Sequence, residues 1–526
     1  MFPLHDGVHL RIMFASETIP RLLIPYINDR KDAYGKDPSV GLRDPSLSNL
    51  GRKKIVVEFS SPNIASEFHG KHLRSTLLGA YVANQYENMG WDVVRINYLG
   101  DWGKQIGLLG AGWERFGSEE QFEADPVGHM LDVYNKINEL FQPELVASRA
   151  ARDSGGDTAA IETQGLFAER NAFFKRMEDG DEKTLALWKR FRDSTIEHYI
   201  QLYARLNVNF NEYAGEAQVS PETMDEVESL LKSKGITEES EGSLIVDLKK
   251  HTGKPGRVII RDRNGSRTYH LRELATAIDR SRKHAFDKMI YVVANDHDMH
   301  FVRISKILKL MDMDDLADKL QHVHFNKGAD KLDHGHKLGE ILDHCQSAMH
   351  ESLSTTPEKA VLLGNSDDSA AAIGISALLA GELQVKRAAD YALDLDKMTS
   401  FGRGTGPELQ YWYLKLCDIV KSSTYDLDAF TIEDYGPVEE ESYTELLRIL
   451  AQYPNITSLA YKTLEPSTII LYLTNITDQL SVCFETEEEI GQSGSNLSPA
   501  EGALFESVRQ VMENGMKLLG IRPATL

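Results

Sequence analysis

The chain is poor in sulfur: three cysteines, Cys345, Cys417 and Cys483, are scattered over 526 residues and lie outside any Cys-x-x-Cys pattern. An odd, dispersed set supports neither a disulfide framework nor a zinc ribbon, and a reducing compartment is the simplest home. Positive charge is also scarce, with 58 Lys and Arg against 80 Asp and Glu and a formal net charge of -22. General attraction to polyphosphate is thereby disfavoured, because counterion release needs clustered cations, although a local basic groove stays compatible. No apolar run approaches the roughly 18 residues of a membrane-spanning helix. The start, MFPLHDGVHLRIMFASETIP, lacks the ordered charged, apolar and small-residue regions of a secretory signal. The expectation is a cytoplasmic chain without a membrane partner, with a mitochondrial address as the alternative. No internal repeat is evident. What is present is 41% hydrophobic content, enough for two or three domains with buried cores.

Along the chain, KKIVVEFSS (53–61) is a β-branched apolar run ending in small residues and Pro62, which predicts a buried strand leading into a loop. Apolar residues then recur every three or four positions from His72 to about Met89, an amphipathic helix stopped by Gly90. DVVRINYL follows as a second strand, completing a βαβ unit whose sheet should be parallel. Residues 110–215 are mostly helical, and 216–267 are mixed, with short strands in SLIVDL and GRVIIRD. The αβ pattern resumes in HLRELATAIDRSRKHA, DKMIYVVAN and HFVRISKILKLMDM. From about Pro357 strand signals almost vanish. The expected fold class is therefore α/β, a Rossmann-type parallel sheet followed by an all-α domain. Its expected divisions are a short N-terminal extension (1–52), a core (53–356) with an inserted subdomain at about 110–267, and a helical domain (357–526).

The stretch IASEFHGKHLRS holds two histidines, His69 and His72, at the start of that first helix. In an open parallel sheet ligands collect beyond the carboxyl ends of the strands, where a helix N-terminus favours an anion. Two histidines there suit phosphate oxygens and charge developing at phosphorus. They equally suit a plain helix start at which they cap backbone groups, and spacing alone leaves both readings open.

The surroundings are more specific. FSSPNIASEFHGKHLRSTLLGAYVANQYENMGWDVVRINYLGDWGKQIGLL resembles the arginyl-tRNA synthetases, class I enzymes that join arginine to its tRNA through an arginyl-adenylate. The resemblance continues through LALWKRFRDSTIEHYIQLYARL, YHLRELATAIDR, FDKMIYVVANDHDMHFVRISKIL, LQHVHF and TGPELQYWYLKL to NGMKLLGIRP, over about residues 34–523. It implies a split Rossmann catalytic domain and a helical anticodon-binding domain. It also implies ATP as substrate with Mg2+ and no tightly bound cofactor, with arginine and tRNA(Arg), or another arginyl acceptor, as partners of a monomer. Family members often carry an N-terminal domain that touches the tRNA corner, and the expectation here is that too few residues precede the first strand to form a full one.

Position by position, the resemblance implies an arginine pocket of Glu58, Asn63, Tyr269, Glu273 and Asp296, with Glu273 standing where the family has aspartate. A carboxylate suits a guanidinium because paired N–H donors meet two oxygens. ATP falls to His69, Gly70, His72 and His297, and the catalytic set is His69, Lys71, His72 and Lys331. The family pattern His-x-Gly-His reads here His69-Gly70-Lys71-His72, so a side chain replaces the glycine against which adenine lies. Ser66 and Glu67 stand where a preceding lysine often helps bind ATP. The mobile Met-Ser-x-Arg/Lys-Lys-Gly loop corresponds to HFNKGADKLDHGHKLGEIL, with Lys331 as the matching cation and Lys327 as a further one. The histidines and cysteine of DHGHKLGEILDHC match no standard zinc spacing, so no metal site is expected. Glu408 in GPELQYWY replaces an aromatic that could stack on a base, and Trp412 and Tyr413 are expected in the core of the helix. Three functions are consistent with this pattern: an arginine–tRNA ligase with a remodelled ATP site, a related enzyme passing arginine to a small-molecule acceptor, and a non-catalytic binder of arginine or tRNA.

Overall fold

The computed structural model describes the chain except for residues 1–17, 48–49, 65–67, 69, 254–255, 264, 327–336, 365, 391–393, 422, 424, 485–496 and 526, and at 70–71 it describes the backbone alone. Five strands form one parallel sheet: β1 (Lys54–Glu58), β2 (Asp92–Leu99), β3 (Glu212–Gly215), β7 (Lys288–Tyr291) and β8 (Leu320–His322), in the order β3-β2-β1-β7-β8. The central β1 buries Ile55, Val56 and Val57 completely, as expected of a strand covered on both faces. Helix Gly70–Asn88 carries the chain from β1 to β2. The sheet grows outward to β3 on that side and, after a return, outward to β8 on the other. The order therefore reverses between β1 and β7, where Glu58 pairs in register with Tyr291. A crevice at such a reversal is where open αβ sheets bind ligands.

The sequence reading treats about 110–267 as one insertion, but β3 rejoins the parallel sheet within that span. Four long helices, Lys104–Phe116, Pro126–Asp153, Gly165–Glu178 and Glu182–Arg205, lie before β3. A separate antiparallel sheet follows it, made of β4 (Thr237–Ser240), β5 (Ser243–Asp247) and β6 (Arg257–Arg261). β4 and β5 are joined by Glu241 and Gly242, both at positive φ (52° and 79°), the left-handed pair that a two-residue hairpin turn needs.

After β8 the described residues form no strand. Helices Leu338–Thr355, Asp367–Leu383, Gly406–Lys421, Glu441–Thr463, Ser467–Cys483 and Pro499–Leu518 pack together, with Asp367–Leu383 largely buried. The N-terminal helix Thr18–Arg30 docks on this domain: the Asn28 amide donates to Ser507 Oγ at 2.8 Å and to the Ala503 carbonyl at 3.2 Å. Arg74, in the first turns of helix Gly70–Asn88, joins the two domains. Its Nη1 lies 3.1 Å from Glu382 Oε2, with both side chains buried, and Nη2 donates to the Lys386 carbonyl at 3.2 Å.

Candidate active site

The chain leaves β1 in an unusual conformation: Ser60 and Ser61 sit at φ 73° and 51°, a left-handed region that side chains occupy at a cost of about 1–2 kcal/mol each. A buried polar network holds the turn. The Ser60 amide donates to Ser75 Oγ at 2.9 Å, and Ser75 in turn donates to the Val292 carbonyl at 2.7 Å. Ser60 Oγ lies 2.7 Å from Tyr203 Oη and accepts from Thr76 at 2.7 Å, while Asn97 donates to Tyr203 at 2.9 Å. Strand β1, strand β2, helix Gly70–Asn88 and helix Glu182–Arg205 thus meet at one turn. Backbone strain of this kind persists where the surroundings over-determine it, typically at functional sites. Close packing adds to the constraint, since a Cβ on Gly79 would stand 2.1 Å from the Phe59 ring. The loop ends at Asn63, bridged to Gly100, where a Cβ would fall 1.8 Å from Asn63 Oδ1.

Beside this turn lies a cluster of charge. Glu58, at the end of β1, is 5% exposed and ion-paired with the equally buried Arg280. Arg280 stacks on Tyr98 at 4.7 Å, and Tyr98 Oη is 3.3 Å from Thr276 Oγ1. Helix Tyr269–His284 supplies Tyr269, Glu273, Thr276 and Arg280, spaced four, three and four residues apart on one face. Burial, and then the negative charge of Glu58, push the Glu273 carboxyl up to about 8, against the pull of Arg280. Glu216 is likewise pushed up to about 7 by burial, against Arg272. Three carboxylates face two guanidinium groups, so full ionisation would leave one negative charge in excess. A fixed cation of the right shape would remove that imbalance.

The mouth of the crevice is aromatic and histidine-rich. Tyr269 is 58% exposed, with its ring 4.0 Å from that of His270 and stacked on His300 at 5.4 Å. Burial, followed by the charge of Arg303, drives His270 down to about 4, so this ring is neutral near pH 7. Asp296 and His297 occupy a short 3-10 turn after β7, with Nε2 of His297 3.8 Å from Asp296 Oδ1. Next to them Asp298, His322 and His324 bring one ligand atom each to within 4.8 Å of the others.

Comparison with known proteins places this architecture. Residues 43–395 match the model of tRNA synthetases class I (R), catalytic domain, and residues 409–525 match the DALR anticodon binding domain. The cytoplasmic arginine–tRNA ligase of Saccharomyces cerevisiae is 39% identical over 98% of this chain and 82% of its own length. The chain belongs to the arginine–tRNA ligase family. The mitochondrial arginine–tRNA ligase of the same yeast is 36% identical over 96% of this chain and 75% of its own length, so relatives carry both addresses that the sequence reading names. Among solved structures, arginyl-tRNA synthetase from Plasmodium falciparum shares the fold at a TM-score of 0.71 and 20% identity, covering 90% of this chain and 76% of that one.

Within this family fold, the residues expected from sequence fall at the acidic cluster, at the loop and rim, at the helix start, or outside the described residues. Glu58 and Glu273 converge on Arg280, and Tyr269 lies one turn from Glu273 on the same helix, near the His270–His300 pair. Asn63 is exposed at the end of the loop, where its carbonyl accepts from Tyr199 Oη at 3.3 Å, and Asp296 and His297 stand exposed at the rim. Gly70 begins its helix, and His72, half-buried, rests against Phe68 with ring centroids 5.3 Å apart. His69, Lys327, Lys331, Ser66 and Glu67, and the side chain of Lys71, fall outside the described residues, as do His334 and His336.

Sequence reasoning passed over Arg280, Tyr98 and Glu216, and also the Asp298–His322–His324 group where no metal site was expected. The face shared by Tyr269, Glu273 and Arg280 was a readable signal for the first of these. In the helical domain Glu408 accepts from the Gly404 amide at 2.5 Å and so holds its own loop. Trp412 and Tyr413 are 8% and 7% exposed, which makes them core residues.

Proposed function

We propose that the chain is an arginine–tRNA ligase in activity as well as in family: it activates arginine with ATP and passes the arginyl group to tRNA(Arg). The observation that carries this reading is the charge imbalance around Glu273, at the end of the parallel strands where the strand order reverses. A substrate guanidinium seated against Glu273, with Tyr269 beside it, would supply the missing positive charge through paired hydrogen bonds. Arg280 would keep the Glu58 carboxylate oriented and unable to relax toward the ligand. A lysine ammonium would neutralise the charge but not match the two oxygens, which provides discrimination.

With arginine so held, its carboxylate attacks the α-phosphorus of ATP, the bond to the pyrophosphate oxygen breaks, and arginyl-adenylate remains. The N-terminus of helix Gly70–Asn88 and His72 would stabilise the charge that develops on the phosphoryl oxygens, joined by His69, Lys71 and Lys331. Asn63 and Asp296 would orient the amino acid, and Gly70 and His297 the nucleotide. Mg2+ fits as a companion of the nucleotide: the described rim residues offer the exposed carboxylates of Asp296 and Asp298 and otherwise imidazoles, which suit a hard cation poorly. When bound with the nucleotide it would supply neutralisation of phosphate charge, with Asp296 and Asp298 as the nearby described carboxylates.

Arginine-dependent exchange of pyrophosphate into ATP, with and without tRNA, tests the first step, and arginylation of tRNA tests the second. Exchange with tRNA charging supports the proposal. Arginine binding without exchange rejects it in favour of a non-catalytic binder, and exchange without charging favours another acceptor. The substitution Lys71→Gly probes the nucleotide berth: tighter ATP binding marks Lys71 as an obstacle to adenine, and lower exchange marks it as a phosphate contact.

A further inference from the structure

A second constellation lies at the carboxyl end of β8, beside Asp296 and His297 at the rim of the crevice, and involves none of Glu58, Glu273 and Arg280. Asp298 is the first residue of helix Asp298–Leu310, and His322 ends β8. His324 follows two residues later, just before the parallel bridge from Phe325 to Ala294, and an i, i+2 spacing in extended chain puts two side chains on the same side. Their Nδ1 atoms lie 3.1 and 3.2 Å from the same oxygen, Asp298 Oδ1. Ligands held at about 2.0–2.1 Å from a tetrahedral zinc ion are separated from one another by about 3.3 Å, so these two distances match edges of such a coordination shell, and the third pair of ligand atoms lies within 4.8 Å.

The group is also braced as metal-binding histidines are. His322 Nε2 lies 2.9 Å from the Val293 carbonyl, which can only accept, so this nitrogen carries a hydrogen. Nδ1 on the opposite side of the ring is thereby turned toward Asp298 Oδ1, 3.1 Å away, so that a cation to one side of this pair could be bound by both. Phe301 packs on the His322 ring at 4.5 Å and prevents it from turning away. Arg387 Nη1 donates to the His324 carbonyl at 2.9 Å and fixes the chain on that side. The side chains of Asp298 and His324 are 46% and 47% exposed, which leaves an entry path and an open coordination position, whereas His322 is 10% exposed.

We propose that Asp298, His322 and His324 form a binding site for one divalent transition ion of the zinc type, with three protein ligands and a fourth position open to solvent. Two imidazoles and one carboxylate select zinc, cobalt or nickel over magnesium or calcium, which prefer all-oxygen shells.

Cobalt titration of the metal-free full-length chain tests this directly. The expected result is one equivalent bound, with the intense visible bands of four-coordinate cobalt, displaced by zinc. His324→Asn and Asp298→Asn should each weaken binding about a hundredfold or more, while urea unfolding in the absence of metal stays at the parent midpoint for His324→Asn. His344→Ala, at an exposed histidine on helix Leu338–Thr355, should change nothing. The proposal is overturned if no four-coordinate spectrum develops, if His324→Asn binds as the parent does, or if binding is lost only when His334 and His336 are replaced.

Discussion

Two buried arginine–glutamate pairs in this molecule differ in what surrounds them. Arg74 and Glu382, at the junction of the two domains, are 2% and 3% exposed, and the Nη atoms of Arg74 also donate to the carbonyls of Glu382, Val385 and Lys386. Arg280 and Glu58, in the crevice, are buried almost as deeply at 6% and 7%, but Glu273 stands beside them as a further carboxylate. The junction is electrically closed and serves to hold two domains in one geometry. The crevice would lack one positive charge if all its carboxylates were ionised, and in the absence of a ligand the raised Glu273 carboxyl holds a proton near pH 7 instead. Burial alone therefore does not mark a binding site; an imbalance that a ligand can correct does.

The largest effect that sharpens this contrast is expected at the junction. Arg74→Ala strands the Glu382 carboxylate in the interior and should cost about 3–5 kcal/mol in urea unfolding, whereas replacing both partners by apolar residues of similar volume should cost far less. In the crevice the sign is opposite. Glu273→Gln should weaken arginine binding by about a hundredfold or more in calorimetry, the order expected for losing one side of a desolvated charge pair. The same substitution should raise the melting temperature of the ligand-free chain at alkaline pH. Because the folded-state value, about 8, lies above the ordinary value of 4.5, this group withdraws stability as pH rises between those two limits.

A weaker expectation concerns pH. A bound guanidinium favours the ionised carboxylate, so arginine binding near pH 7 should release a proton. Affinity should rise from pH 6 to about 8 and level off above it, and calorimetry in buffers of different ionisation enthalpy would show the release. An affinity independent of pH over this range would break the comparison. The smallest effect is expected at Ser61→Gly, which removes a positive-φ side chain whose hydroxyl is buried, and should stabilise the chain by about 1 kcal/mol in urea unfolding.

Much of the fold was legible because it follows from local periodicity. The apolar runs at 53–61, 92–99 and 287–295 are strands β1, β2 and β7, and the three-to-four repeat after His72 is the helix Gly70–Asn88. The return of the chain at β3 was not legible: EYAG is four residues long and carries no apolar run, and only its parallel pairing with β2 makes it a strand of the main sheet. Of the candidate site, Glu58, Tyr269 and Glu273 were reached through family resemblance. Arg280 was visible on the shared helical face but was not read as part of the site. Asp298, His322 and His324 come from two chain segments more than twenty residues apart, and no local pattern joins them.

Residue order by itself determined the alternation of strands and helices, the family, and the helix start at which phosphate is expected to lie, because periodicity and motif spacing act over a few turns of chain. Which carboxylate pairs with Arg280, which carboxyl is pushed up, and which ring nitrogens meet Asp298 were decided only when β1, β7, β8 and helix Tyr269–His284 came together. Electrostatic energies in a desolvated crevice depend on separations of a few ångströms between groups more than two hundred residues apart in the chain, such as Glu58 and Arg280, and those separations exist only in the folded molecule.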